Sequence, residues 1–144
     1  MPECEVHLMV EFSIDEGKLE TFQEIAKEMI AGSRRERGTL GYEWYLRSDR
    51  KLCRVLETYA SGEDMLAHLN GPVTQQLIPK LIAHSMLDRI EVYGDVGPKV
   101  KEALGQFGAQ FFERWGGLTE DRPAAQIAWS ACSEARVGGI EQGS

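Results

Sequence analysis

A strict alternation of apolar and polar side chains opens the chain. Over residues 6–14 every second side chain is large and apolar, which is the period of a β-strand with one buried face. Over residues 19–30 the apolar positions recur every three or four residues, and this period predicts an amphipathic helix. We expect Asp15 to cap the start of that helix and Gly38 to follow its end.

Two more strands and further helical segments are predicted downstream. Residues 39–47 and 51–59 are rich in aromatic and β-branched side chains, and the short link between them favours a hairpin. Ser61 is followed by Asp64 at the spacing of a helix capping box, so a second helix should begin there. A further helical stretch follows Gly71-Pro72, and Pro79 within it implies a bend or an early end.

The order of these elements predicts the fold class. With residues 86–96 as a fourth strand, residues 6–96 run strand–helix–strand–strand–helix–strand. This is the α+β, ferredoxin-like βαββαβ arrangement, an antiparallel sheet with helices on one face. After it we expect a C-terminal extension with a third helix, which packs Phe107 among its apolar residues, an aromatic cluster and a glycine-rich tail. We therefore divide the chain into a domain at 1–97 and an extension at 98–144.

The uncovered face of this sheet predicts a partner. Helices cover one face only, yet both sides of the predicted strands carry large apolar or aromatic groups, and such a surface is too large for a stable monomer. A second copy packed sheet to sheet would bury it and enclose a barrel-like interior, so we predict a homodimer, a dimeric α+β barrel. The residues concerned are Met9, Phe12, Trp44, Tyr45, Val55, Leu56, Ile90 and Tyr93.

Composition narrows the class of protein. The 144 residues, 42% hydrophobic and 27% charged, fit one globular domain, and a net charge of −7 argues against a nucleic-acid partner. No apolar run is long enough to span a membrane, and the acidic amino terminus is unlike a signal peptide, so we expect a cytoplasmic protein.

The cysteines and histidines indicate neither disulfides nor a metal. Cys4, Cys53 and Cys132 contain no CxxC pair, so each is expected to be an unpaired, buried residue in a reducing compartment. His7, His68 and His84 lack the spacing of a helical metal site. We therefore predict no metal.

Short motifs in the predicted domain carry a family resemblance. They are Glu36-Arg37-Gly38 followed by Leu40-Gly41-Tyr42-Glu43, then Leu56-Glu57-Thr58-Tyr59 leading into Ser61, and Ala67-His68 in the next helix. Over residues 6–96 the chain resembles the antibiotic biosynthesis monooxygenase family of dimeric α+β barrels, which includes small quinol monooxygenases. Tyr59 departs from the pattern, because the family usually has tryptophan there, and the extension beyond about residue 97 is not part of the core domain.

The resemblance implies an oxygenation without cofactor, in which the substrate itself supplies the electrons. A quinol-like or polyphenolic aromatic substrate would need a dry apolar cavity, flat walls and groups that take a proton and stabilise the resulting anion. On this interpretation the catalytic candidates are His68, Tyr59 and His7. The candidates for binding the substrate are Tyr42, Trp44, Tyr45 and Glu57.

Each candidate also has a structural interpretation. His68 could satisfy a buried carbonyl, and the aromatic residues could pack an interface. Glu57 lies among apolar neighbours and should therefore need a partner for its charge. The candidates are Arg47, Arg54 and His68. The alternatives for function are a dimeric module that binds an apolar small molecule without catalysis, and an isomerase or haem-handling protein on the same fold.

Overall fold

The computed structural model describes residues 4–118. Our predictions for Cys132 and for the tail lie outside this part of the chain. The elements are β1 (Val6–Ile14), α1 (Leu19–Ser33), β2 (Thr39–Leu46), β3 (Leu52–Tyr59), α2 (Gly62–Asn70), α3 (Pro72–Ile82), β4 (Ser85–Tyr93), α4 (Pro98–Gly105) and β5 (Gln110–Phe112).

The sheet has five strands in the order β2-β3-β1-β4-β5. The first four pair antiparallel, which confirms the α+β, ferredoxin-like arrangement. The fifth strand was not predicted: β5 pairs parallel with the end of β4. Phe111 of β5 packs on the core, whereas Phe112 stacks on Tyr93 with ring centroids 5.1 Å apart. The expected aromatic cluster is therefore partly a strand.

Alternation along the strands separates two faces of the sheet. Val6, Leu8 and Phe12 of β1 are buried beneath the helices, and we call this side the helix-covered face. The register places these three residues beside Tyr59, Glu57 and Cys53 of β3 respectively, so their neighbours share that face. The intervening side chains, among them His7, Met9, Glu11, Tyr45, Arg54, Leu56, Thr58, Glu91 and Tyr93, lie on the opposite side, the open face.

The core on the helix-covered face consists of two clusters. One packs Phe22 and Met29 of α1 against β1 and β3, with Leu81 of α3. The other contains Tyr59 and Met65 and extends to α4, whose Val100 and Leu104 are buried in it; its remaining buried members are Val6, Leu8, Ile90, Val92 and Val96. The helix of the extension therefore shares a core with β1, β3 and α2.

The structure tests three expectations about helix boundaries. Helix α1 begins after Lys18, and no side chain caps it; the Asp15 carbonyl instead accepts a hydrogen bond from the Lys18 amide, which closes a turn ahead of the helix. Of the two effects expected of Pro79, an early end is not seen, because α3 continues to Ile82, and a bend stays a prediction. The start of α2 predicted at Ser61 is confirmed, because Ser61 is the N-cap and the Asp64 amide donates to its Oγ at 3.2 Å.

Two glycines allow close approaches that fix the start of α2. A Cβ at Gly38 would lie 2.2 Å from Asp64 Oδ1, and a Cβ at Gly62 would lie 2.3 Å from the Val96 carbonyl oxygen. Only a residue without a side chain fits at such distances. Helix α2 is therefore held between the turn before β2 and the segment after β4.

Two further predictions need correction. Phe107 does not join the apolar side of α4: it lies beyond the helix end and is 66% exposed. Cys4 is disulfide-bonded, against the expectation of unpaired thiols. Cys53 is a free, buried cysteine, as predicted, and burial raises the pKa of its thiol to about 11. No helix among residues 4–118 combines the length and apolarity that a membrane span requires.

Candidate active site

A cluster of ionisable side chains lies buried between α2 and the sheet. His68, on the last turn of α2, is 4% exposed, and Glu57 of β3 is 6% exposed. Tyr59 follows Glu57 by two residues, so alternation turns both to the helix-covered face. The register of β2 places Tyr42 opposite Glu57, and Glu36 lies in the link between α1 and β2. We call Glu36, Tyr42, Glu57, Tyr59 and His68 the acid–base cluster.

Hydrogen bonds orient the imidazole ring. Nδ1 of His68 lies 2.7 Å from Oε1 of Glu36, and the Thr39 hydroxyl donates to the same oxygen at 2.8 Å. Because this carboxylate oxygen is an acceptor, Nδ1 is the donor, which turns Nε2 of His68 toward Glu57. Nε2 lies 3.9 Å from Glu57 Oε1, too far for a direct hydrogen bond but close enough for electrostatic attraction. The Tyr59 hydroxyl donates to the same Glu57 oxygen.

Burial raises the pKa of Glu57 to about 7, and the positive charge of a protonated His68 and the Tyr59 hydrogen bond offset only part of that effect. A carboxylic acid is strongly disfavoured as an anion when it is taken out of water. A group that titrates near neutral pH exists in both protonation states at working pH. Glu57 can therefore accept or return a proton, which is the property required of a general base or acid.

The two tyrosines remain neutral phenols. Burial, reinforced by the Glu57 carboxylate, raises the pKa of both Tyr42 and Tyr59 well above the ordinary range. Both hydroxyls are consequently hydrogen-bond donors at all physiological pH values, and neither is suited to be the base. Their role in chemistry would be to orient a neighbouring group or to stabilise negative charge on it.

Aromatic rings extend from the cluster along β2. The Tyr42 ring contacts the His68 ring at 5.3 Å and the Trp44 ring at 5.6 Å, both edge to face. The Trp44 ring also contacts Phe22 of α1 at 6.2 Å. These flat apolar surfaces have the character expected of walls around an aromatic ligand.

Two of the predicted site residues lie elsewhere. His7 and Tyr45 are exposed on the open face, where His7 Nδ1 is 3.1 Å from the Thr58 hydroxyl. The whole sheet separates them from His68. The structure thus brings together His68, Tyr59, Glu57, Tyr42 and Trp44, and it does not bring His7 or Tyr45 to them.

The division between the helix-covered face and the open face also determines which predicted partner lies near Glu57. Arg54 is adjacent in β3 but points to the open face, where it pairs with Glu11 at 2.8 Å. Arg47 pairs with Asp49 in the hairpin turn at 2.8 Å. Neither arginine reaches Glu57, so of the three partners we had considered, His68 is the one that lies near it.

Glu36 is the site residue that our sequence reasoning missed. It belongs to the first motif of the resemblance but was not assigned a role. Its carboxylate approaches His68 across 32 residues of sequence, from a link between two elements, so periodicity gives no indication of the contact. The motif itself was the sequence feature that could have identified it.

The model of one protein family, described as antibiotic biosynthesis monooxygenase, matches residues 5–80. This match spans more than half of the chain. The chain belongs to the antibiotic biosynthesis monooxygenase family.

Solved structures support the same fold for this family member. MupZ from Pseudomonas fluorescens is similar with a TM-score of 0.71 at 24% identity, over 85% of this chain and 98% of that one. A structure described as an antibiotic biosynthesis monooxygenase has a TM-score of 0.58 at 16% identity, over 65% and 99% of the two chains. Rv0793 from Mycobacterium tuberculosis has a TM-score of 0.58 at 17% identity, over 65% and 97%. A search of curated proteins found no match.

Tyr59 contacts two members of the acid–base cluster in this antibiotic biosynthesis monooxygenase domain. Its hydroxyl binds Glu57, and its ring lies 5.5 Å from the ring of His68. Within residues 4–118, no group of three or more histidine, cysteine, aspartate or glutamate side chains is arranged to hold a metal ion.

A cleft of about 400 Å³ lies at the other end of the sheet. It is lined by Leu87, Asp88, Arg89, Ile90, Phe107, Gly108 and Gln110, where β5 leaves the edge of β4. Neither His68 nor His7 borders this cleft. The acid–base cluster is packed beneath α2, so a ligand would reach it by displacing or separating the elements that cover it.

Proposed function

We propose that the protein is a cofactor-independent monooxygenase that oxidises a quinol-like or polyphenolic substrate at the acid–base cluster. The observation that carries the proposal is Glu57, a buried carboxyl with a pKa near 7 beside a histidine that a second carboxylate orients. This arrangement can remove a phenolic proton inside an apolar region, which is the step that makes a phenol reactive toward oxygen. Membership of the monooxygenase family supports the same reaction class.

The reaction can be written with its electrons balanced. The Glu57 carboxylate takes the phenolic proton, and the phenolate gives one electron to O₂. The resulting superoxide and phenoxyl radical combine at a ring carbon that bears hydrogen, and protonated Glu57 returns its proton to the peroxide. The hydroperoxide then loses water. Its O–O bond breaks, the hydrogen on the same ring carbon leaves with the outer oxygen as water, and a quinone carbonyl remains on that carbon. The substrate is thereby oxidised by four electrons, and O₂ supplies one oxygen to the product and one to water.

The neighbours of Glu57 would assist this sequence. Tyr59 holds the carboxyl in place, and His68, which Glu36 orients through Nδ1, would favour the phenolate and the peroxide anion through its Nε2 side. Tyr42 and Trp44 would form the wall against which the aromatic ring lies. The geometry assigns no part in this chemistry to His7 on the open face.

Oxygen consumption tests the proposal. Anaerobic protein is mixed with a panel of hydroquinones, oxygen is admitted, and the rate is compared with that of heat-treated protein. We expect an enhanced rate that falls about 100-fold in Glu57→Gln, because loss of a general base typically costs a factor of about 10² to 10⁴. His68→Ala should lower the rate as well, because it removes the imidazole beside Glu57. His7→Ala is the matched control and should retain the wild-type rate. Absence of enhancement across the panel, or equal losses in the two histidine variants, would contradict the proposal.

One observation also favours an isomerase. Glu57 accepts a hydrogen bond from the neutral Tyr59 hydroxyl next to an oriented imidazole, and a carboxyl with a pKa near 7 can move a proton between two positions of a substrate without oxygen. The panel distinguishes the two functions when it is repeated without oxygen. Product formed anaerobically, with the same dependence on Glu57, would support the isomerase.

We further propose that the protein is a homodimer that packs its open faces together. That face exposes Tyr45, Leu56, Met86 and Phe112, of which Met86 is 65% exposed. It also carries the ion pairs Arg54–Glu11 and Arg89–Glu91, so it is more polar than the sequence suggested. Phe12, Trp44, Val55 and Ile90, which we had counted toward an uncovered surface, belong to the helix-covered face and its core.

A further inference from the structure

Glu57 needs a route by which its proton can exchange with water. The Glu57 side chain is 6% exposed and the neighbouring His68 side chain is 4% exposed, so both are shielded from solvent. Because the pKa of Glu57 is about 7, both of its protonation states are populated near neutral pH. A molecule that holds the proton on Glu57 must lose it before the carboxylate can act as a base. The proton therefore has to leave through a neighbouring group.

The other residues of the sheet that face Glu57 do not provide this route. Tyr59 is fully buried and donates its hydroxyl to Glu57, and Tyr42 faces Glu57 from β2. Burial raises the pKa of both phenols well above the ordinary range, so neither gives up its proton. Leu8, which faces Glu57 from β1, does not titrate. Within the described part of the chain, His68 of α2 is the neighbour that can take the proton.

Glu36 connects His68 to the surface. Its Oε1 atom lies on the inner side, where it accepts hydrogen bonds from His68 Nδ1 at 2.7 Å and from the Thr39 hydroxyl at 2.8 Å. Its side chain is nevertheless 23% exposed. The second oxygen, Oε2, lies beside Gly71, at which a Cβ would be 3.8 Å away. Gly71 carries no side chain that could cover this oxygen at the junction of α2 and α3.

We propose that His68 and Glu36 carry protons between the buried Glu57 carboxyl and water, and that the exit lies beside Gly71. The Glu57 O–H proton passes to Nε2 of His68, the Nδ1 proton of the same ring passes to Glu36, and Glu36 releases it to water. A proton that enters by the reverse route restores both bonds. The inference rests on the proposed function for the use of Glu57 as a base.

One gap in this relay is wider than a hydrogen bond. Nε2 of His68 and Oε1 of Glu57 are 3.9 Å apart. A proton can cross when the two groups approach by about 1 Å, or when a single water molecule or hydroxyl group bridges them. The other contact, between His68 and Glu36, already has hydrogen-bond length.

A pH jump tests the relay without substrate or oxygen. The full chain is shifted rapidly from about pH 6 to about pH 8, and infrared spectroscopy follows the loss of the carboxylic acid band that is missing in Glu57→Gln. In Glu36→Gln the amide oxygen can still accept from His68 and Thr39, but the amide cannot take up a proton. We expect the band to decay about 100-fold more slowly in this variant, since a positioned acid or base typically accelerates proton transfer by a factor of about 10² to 10⁴. Glu43→Gln, at an exposed position of β2, is the matched control and should relax like the wild type.

An equilibrium titration separates the relay from a change in electrostatics. The Glu36 carboxylate is the smallest of the four influences on the pKa of Glu57 and raises it, so Glu36→Gln should lower that pKa slightly. The relay predicts that the decay rate changes far more than the titration midpoint. His68→Phe keeps a ring at the site but removes both nitrogens, and it should slow the decay as well.

The outcomes distinguish the relay from the proposed reaction. An unchanged decay rate in Glu36→Gln, or the same slowing in Glu43→Gln, would overturn the relay. A slow decay in Glu36→Gln without oxygen consumption by the wild type would support the relay and count against the monooxygenase, and oxidation with an unchanged decay rate would do the reverse. A wild type that lacks the acid band at about pH 6 would overturn both.

Discussion

Replacing Glu57 by glutamine should remove a pH dependence of stability that one buried carboxyl imposes. The pKa of this group is about 7 in the folded protein, against an ordinary value of 4.5. Folding therefore favours the protonated form, and the stabilisation is fully present below about pH 4.5. As the pH rises, the unfolded chain loses this proton first, and stability falls until the folded pKa is passed. The two values correspond to a loss of about 3 kcal/mol between pH 4.5 and 7.

Glutamine is a suitable replacement because it stays neutral and its carbonyl oxygen can still accept the Tyr59 hydroxyl. Urea unfolding of the wild type and of Glu57→Gln at several pH values between about 4.5 and 8 gives the difference in the free energy of unfolding. We expect the variant to gain about 3 kcal/mol relative to the wild type across this range. Glu24→Gln, at an exposed position of α1, is the control and should follow the wild type. If the difference in the free energy of unfolding between wild type and Glu57→Gln did not change with pH, the assignment of a pKa near 7 to Glu57 would be refuted.

Three further substitutions test the fold and the assembly. Ser61→Ala removes the capping acceptor of α2 and should lower the free energy of unfolding by about 1 kcal/mol, measured by urea titration. Gly62→Ala would place a Cβ 2.3 Å from the Val96 carbonyl oxygen and should cost about 1–3 kcal/mol, whereas Gly105→Ala, where nothing lies within 4 Å, should not destabilise; equal effects would contradict the close approach. Leu56→Asp should convert a dimer to a monomer in light scattering, and a monomeric wild type would remove the proposed interface.

Strand periodicity predicted most of the architecture because the alternation of side chains is set by neighbouring residues within each strand. The alternation over β1 identified the buried stripe, and through pairing it determined which side chains of β2 and β3 lie beneath the helices. The start of α1 was missed because Asp15 has the chemistry of a cap, yet its backbone closes a turn before Lys18 instead. Strand β5 was missed because its three residues are too few to show a period.

The site was predictable only in part, for a different reason. Glu57 and His68 stand out as polar residues among apolar neighbours, so a buried role could be inferred for each. That His7 lies apart from His68 depends on which face the helices cover, which is a tertiary property. The contact between Glu36 and His68 requires the link after α1 to fold back over α2, and no spacing in the sequence encodes it.

The burial of Val100 and Leu104 next to Tyr59 has a consequence for how the protein can be shortened. A truncation after Gly97 would uncover one side of the packing that supports Tyr59, and with it the hydroxyl that holds Glu57. In the proposed reaction the extension would then act indirectly, because its buried side chains keep Tyr59 in position and Tyr59 in turn holds the Glu57 carboxyl. A shortened chain is expected to unfold at lower temperature and to lose oxidation rate more than substrate affinity.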